Sequence, residues 1–275
     1  MKKYSMVAVS MLVVSISVFA NTAKQAPSAE TSLSSTPQGF FLGFGAYNYH
    51  YEESTDKTFF MSNKGSMQGV LLSYTSTLPW KNISWTLRME SATGDLDYAS
   101  DGTGELSGAQ NNMGSTSVLF RHDLPVTSTM TLSPYYGLGY RVLEDNKQNM
   151  TTSTGHSGYH RRSEYFYFPL GLKAQMSVSK NVRLMPRMQW NAFYHGRQIS
   201  DFDMINNQYI GYGYTLGLTT STAVGRGAIE VDLRYKRWHI DDSSLTTYPE
   251  NNGSILGKEP ENTTSEFGLN LGYRF

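Results

Sequence analysis

No cysteine occurs among the 275 residues. That absence excludes disulfides, thiolate metal sites, a cysteine nucleophile and a lipid-bearing cysteine. Long apolar runs are also missing: beyond the N-terminal segment no stretch of about 18 apolar residues could cross a bilayer as a helix. Net charge is missing too. Lysine plus arginine and aspartate plus glutamate each total 23, so bulk electrostatics recruits neither nucleic acid nor an acidic surface. No phosphate-cradling glycine loop, nucleophile elbow or zinc-protease helix occurs. What the chain does hold is 19 tyrosines, 25 glycines and a mean hydropathy of -0.41. That average suits a soluble protein, and equally one whose strands send every second residue into lipid.

Lys2 and Lys3 precede an apolar run from Met6 to Phe19, and Val18-Phe19-Ala20 offers a cleavage site. Residues 1–20 therefore read as a signal peptide. Residues 21–38 are rich in Ser, Thr, Ala and Pro without periodicity and read as a disordered leader. Residues 39–275 form the folded domain.

Within that domain a period of two recurs. The final stretch sets Phe267, Leu269, Leu271, Tyr273 and Phe275 against Glu266, Gly268, Asn270, Gly272 and Arg274. Such a pattern places one strand face in an oily phase and the other in a polar one. A large terminal aromatic is buried only if its strand is held in a sheet. Ile83, Trp85, Leu87 and Met89 oppose Ser84, Thr86, Arg88 and Glu90, and Ile229, Val231, Leu233 and Tyr235 oppose Glu230, Asp232, Arg234 and Lys236. Ten segments of this kind are counted, the fourth (about 113–120) being weak and serine-rich.

The connections alternate in length, short at 75–82, 122–129, 178–181 and 220–227, long at 52–66, 92–112, 144–163, 195–207 and 237–265. A sandwich has no reason to gather its long loops at one end, whereas a transmembrane barrel does. The inward faces carry Arg88, Glu90, Arg141, Lys173, Arg183, Arg187, Glu230, Asp232, Arg234, Lys236 and Arg274. A sandwich core cannot hold them unpaired, but a polar barrel interior can. Pro134, Pro169 and Pro186 each delete a ladder donor and are expected at bulges or rims. The prediction is an all-β fold: a transmembrane antiparallel up-and-down β-barrel of about 10 strands, with a lumen plugged by charged side chains.

On these features the chain resembles the Gram-negative outer-membrane β-barrel proteins. The resemblance implies the cell outer membrane, both ends periplasmic, porin-like architecture with surface-exposed loops, and a monomer among outer-membrane lipids and lipopolysaccharide. It also implies that Phe267, Leu269, Leu271, Tyr273 and Phe275 form the signal read by the barrel-assembly machinery. The function expected is non-catalytic: envelope structure, surface interaction or restricted small-solute passage, with no cofactor and no nucleic acid.

A weaker resemblance is to omptins, ten-stranded outer-membrane proteases with an Asp-x-Asp pair in the second external loop and an Asp-x-His pair in the fourth. Asp95 and Asp97 in "GDLDY" match the first pair; "HGRQISDFDMINN" offers His195, Asp201 and Asp203 but no Asp-x-His. The alternative function is therefore an omptin-like protease using those residues. His156 and His160, or His239 with Asp241 and Asp242, do not make up a metal site, because no third cluster lies within reach and the glycines of "GHSGYHRRS" break helical spacing. Arg161 and Arg162 sit where rim arginines could meet lipid A phosphates.

Overall fold

The computed structural model describes residues 37–275 except 81, 202, 203, 251 and 252. The signal and nearly all of the leader, with Asp203, lie outside the described residues.

Ten long strands close into a ring: β1 (Gly39–Thr55), β2 (Thr58–Thr77), β3 (Ile83–Ser100), β4 (Gly104–His122), β6 (Met130–Asn146), β7 (His160–Ser177), β8 (Val182–Ser200), β10 (Gly211–Val224), β11 (Gly227–Ile240) and β14 (Glu261–Arg274). Four short strands complete the order. β5 (Leu124–Pro125) pairs with β6, β9 (Met204–Gln208) extends the ladder of β8, and β12 (Thr246–Glu250) with β13 (Gly253–Gly257) forms a separate hairpin. Every neighbour around the ring is antiparallel, and the first and last strands close it from Phe41↔Arg274 to Ser54↔Glu261. The Phe275 amide donates to the Phe40 carbonyl at 2.8 Å, carrying the seam to its last residue. Closure leaves no edge strand, which is what lipid demands of a spanning sheet.

The outward faces explain the medium. Phe44, Tyr136, Leu138, Leu170, Met188, Leu216, Phe267 and Leu271 are exposed around the ring, on strands that pair with one another. A continuous apolar belt far exceeds the few hundred Å² a soluble monomer shows, so the belt faces lipid. On β1 the belt runs Phe40, Leu42, Phe44, Ala46 and then turns polar at Asn48, His50 and Glu52. Strand pairing continues past that boundary and raises a crown above the membrane.

The crown corrects the long-loop reading of 52–66, 92–112 and 195–207. β1 and β2 run to a two-residue turn at Asp56-Lys57, whose φ values of 51° and 65° are those of a hairpin turn matched to strand twist. β3 and β4 pair as far as Ser100↔Gly104, so the weak fourth segment is a 19-residue strand. Above the lipid the outer face meets water, and the apolar alternation that marks a membrane strand fades although the pleat persists.

The prolines are neither at bulges nor at the rim. Each sits where the ladder on one side is interrupted: Pro134 between the β5 and β4 pairings, Pro169 across the gap between Tyr136↔Leu170 and Gly139↔Tyr167, and Pro186 across the gap between Lys173↔Arg187 and Met176↔Leu184. A missing N–H costs little where no partner strand accepts from it.

Candidate functional site

The lumen holds two layers of different chemistry. Its outer half is filled. Tyr47, Tyr49 and Tyr51 alternate along β1 and point inward with Met61, Met67, Leu96, Met113, Leu143, Tyr165, Tyr167, Trp238 and Ile240, all buried in one cluster. Tyr165 stacks on Trp238 at 6.4 Å between ring centres, Tyr167 meets it edge-on at 4.9 Å, and Phe193 meets Tyr165 edge-on at 5.7 Å. Two glycines seat this plug: a Cβ on Gly139 would enter the Tyr167 ring, and one on Gly213 would lie 2.6 Å from the Trp238 ring. The Arg141 guanidinium lies over Trp238 at 5.3 Å and Tyr165 at 5.9 Å, a cation–π arrangement.

Ion pairs cross the lumen on both sides of the plug. Arg141 donates to Glu266 at 2.5 Å; Glu90 accepts from Arg234 and, at 2.9 Å, from Lys236; Lys236 also lies 3.4 Å from Glu266. Arg187 holds Asp232 with both amino groups at 2.7 and 3.1 Å, Thr219 donates to the same carboxylate at 2.7 Å, and Arg88 lies 3.5 Å from it. Arg274 grips Glu230 at 2.7 and 3.0 Å. Of the remaining expected lumen residues, Lys173 and Arg183 have no carboxylate within 4.0 Å among the described residues, although Lys173 lines an interior cavity together with the residues of these pairs.

In the crown a third network forms around Arg161. It binds Glu53 and lies 3.5 Å from Asp145 and 3.6 Å from Glu259, over the Tyr51 ring at 5.1 Å. Lys147 pairs with Asp145, which also accepts from Asn63 at 3.0 Å. Arg161 is 6 % exposed and faces inward, so it cannot serve as a lipid A contact. Arg162 faces outward, but Glu144 at 2.7 Å and Glu164 at 2.8 Å engage it, and Arg197 closes that chain onto Glu164 at 2.6 Å.

Glu259 anchors the last outer segment: its amide donates to Ser243 Oγ at 2.8 Å and its carbonyl accepts from the Ser243 amide at 2.9 Å. Burial, and then the neighbouring Glu53 carboxylate, hold the Glu259 carboxyl well above the usual range, with Arg161 opposing. A folded-state pKa raised above the unfolded one stabilises docking below the ordinary carboxyl range, and that contribution is lost as pH rises through the raised value. The protection factors of the Ser243 and Glu259 amides, corrected for intrinsic exchange, are therefore expected to fall as pH rises above about 5. Glu259→Gln should flatten the dependence. Protection that climbs with pH in the parent chain would contradict this reading.

The described residues of the protease alternative do not meet. Asp95 and Asp97 are exposed on β3, flanking the buried Leu96, and so face outward. His195 pairs in register with the outward Phe166 on β7, contacts Asn207 Oδ1 at 3.3 Å and packs on Tyr209. Asp201 accepts from Gln148 at 3.1 Å and from the His160 amide at 3.2 Å. β3 and β8 stand four strands apart around the ring. No group of three His, Asp or Glu side chains placed to hold a metal ion occurs among the described residues.

The sequence predicts a lumen plugged by charged side chains, and the aromatic layer is the part it does not disclose. Its signal is present in Tyr47, Tyr49 and Tyr51, but Phe40, Phe44 and Ala46 on the other face make both faces of β1 apolar, and the alternation there does not say which aromatics pack together.

This is an outer-membrane β-barrel by fold. The outer membrane protease OmpT from Escherichia coli is similar over 87% of this chain and 98% of that one, at 10% identity and a TM-score of 0.57. Lower scores relate it to the transport unit of the autotransporter AIDA-I from Escherichia coli, covering 93% and 95% of the two chains at 9% identity and 0.43. The translocator domain of the autotransporter NalP from Neisseria meningitidis covers 88% and 91%, at 11% identity and 0.40. Identities this low carry the fold and not the activity. No family model matches the chain, and no curated protein sequence matches it.

Proposed function

We propose that this chain is a sealed, non-catalytic barrel that carries a rigid β-crown outside the membrane, serving envelope structure or contact at the cell surface. One observation carries the reading: the outer half of the lumen is packed with aromatic and sulfur-containing side chains, bracketed by buried ion pairs. A conduit needs a continuous polar path, and a plug of this kind denies it. Rigid crown strands suit a surface contact, since they hold their side chains without an ordering cost on binding.

The omptin-like protease remains the competing function because strand number and fold are alike. Among its described candidate residues, Asp95 and Asp97 lie outward on β3, while His195 on β8 and Asp201 just past its end stand four strands away around the ring, which speaks against one water shared by an acid, a base and an orienting partner. The test is a fluorogenic peptide library offered to the refolded protein with lipopolysaccharide, beside Asp95→Asn/Asp97→Asn. Equal background from both is expected. Cleavage by the parent chain that the double variant abolishes would make the protein an enzyme.

A further inference from the structure

Below the plug the lumen opens into a cavity of about 150 Å³, reaching from Trp238 and Tyr167 to Pro37, Thr75 and Arg274 at the end where β1 begins and β14 finishes. Eight cationic side chains line it against three carboxylates, Glu90, Glu230 and Asp232. Asp123 and Glu266 bond Arg121 and Arg141 from outside the lining, and even counting both the surplus is three positive charges. The three lining carboxylates are already engaged, by Arg234 and Lys236, by Arg274, and by Arg187.

That leaves donors over. Lys173 has no carboxylate within 4.0 Å among the described residues, and its electrostatic neighbours are mostly cations: Arg121, Arg274 and Arg187, against Glu230. Arg88 Nη2, Arg141 Nη1, Arg234 Nη1 and Arg274 Nη1 are buried N–H groups with no hydrogen-bond acceptor among the described residues. Arg141 and Arg234 are 4 % and 3 % exposed, so water outside the barrel does not reach them. Fixed cations gathered in a low-dielectric wall repel one another and raise the local concentration of anions. Guanidinium edges and an ammonium around one cavity are the donor set that tetrahedral oxyanions take. A cavity of this volume exceeds the 10–15 Å³ or so that one water needs by about tenfold, so such an ion fits with part of its hydration.

We propose that the inner lumen is a binding site for a small oxyanion of the phosphate or sulfate class, held by Lys173 within the surplus of cations that line the cavity, Arg88 and Arg274 among them, and entered from the rim at Pro37. The site is independent of whether the outer plug seals the barrel, because it needs only the inner mouth.

The test is isothermal titration of the refolded full chain in detergent with phosphate and, separately, sulfate, at constant ionic strength made up with chloride. Saturable binding at one site per chain is expected, weakened at least tenfold in Lys173→Met and in Arg88→Gln, and unchanged in Lys64→Met, an exposed crown position. Phosphate that tightens relative to sulfate between pH 6 and 8 would assign the site to the dianionic phosphate; parallel affinities would assign it to oxyanions of either kind. The thermal midpoint of the parent chain should rise with the anion, and that of Lys173→Met should not. No saturable binding of either anion by the parent chain overturns the proposal, whatever the variants do. Undiminished affinity in both variants overturns it as well, and Arg88→Gln decides alone if Lys173→Met does not refold.

Discussion

Glu90→Gln is expected to destabilise the barrel by about 3–5 kcal/mol, because it removes the carboxylate that Arg234 and Lys236 share and leaves them only the longer contacts to Asp232 at 3.9 Å and Glu266 at 3.4 Å. Glu90 is 5 % exposed and accepts from Arg234 and Lys236, which reach it from β11 across the lumen. The Arg234 guanidinium is also fixed by Tyr47, whose hydroxyl accepts from it at 3.2 Å and donates to Asn270 at 2.7 Å. Removing the carboxylate charge therefore upsets a chain of contacts spanning β1, β3, β11 and β14. The measurement is urea unfolding of the protein refolded into lipid vesicles. Glu90→Gln/Arg234→Met should recover more than half of the loss, since a buried pair replaced on both sides costs far less than one broken on one side. Equal losses in the single and double variants would show that the pair is not coupled.

Arg161→Met is expected to loosen the crown while sparing the membrane-embedded wall. Glu53, Asp145 and Glu259 converge on this one guanidinium, and Lys147 alone would remain to balance them. An uncompensated group of buried carboxylates costs several kcal/mol, and here the cost falls on segments held only above the lipid. Cleavage by an added protease within 147–159 and 241–260 should rise at least tenfold, while the fragment pattern of the membrane strands stays the same. Arg162→Met is the control: its side chain is 37% exposed, its exposed pair with Glu144 contributes about 1 kcal/mol or less, and the buried Glu164 keeps Arg197 at 2.6 Å.

The parts of this molecule that the sequence makes legible are those where lipid sets the contrast. Ile83, Trp85, Leu87 and Met89 alternate with Ser84, Thr86 and Arg88 because one face meets hydrocarbon and the other the lumen, and β3 lies where that pattern places it. The same strand continues through Asp95, Leu96 and Asp97, with Leu96 buried in the plug and the aspartates in water. A single apolar position there cannot distinguish a strand from a loop, which is why the sequence places Asp95 and Asp97 in the long connection 92–112 and not in the crown. The inward charges were legible as inward, but their pairing was not: Glu90 and Arg234 stand 144 residues apart, and only the ring order brings β3 and β11 to face each other. The prolines show the same limit, since their tolerance depends on gaps in the neighbouring ladder that no local pattern records.

The claim that the barrel is sealed is tested most directly by single-channel recording in planar bilayers, comparing the parent chain with Tyr165→Ala/Trp238→Ala, which removes the two rings stacked across the outer lumen. The parent chain should insert without stepwise conductance, and the double variant, with refolding verified separately, should show discrete steps. Steady unitary conductance in the parent chain, unaltered by the double variant, would contradict a plugged lumen and make the protein a channel.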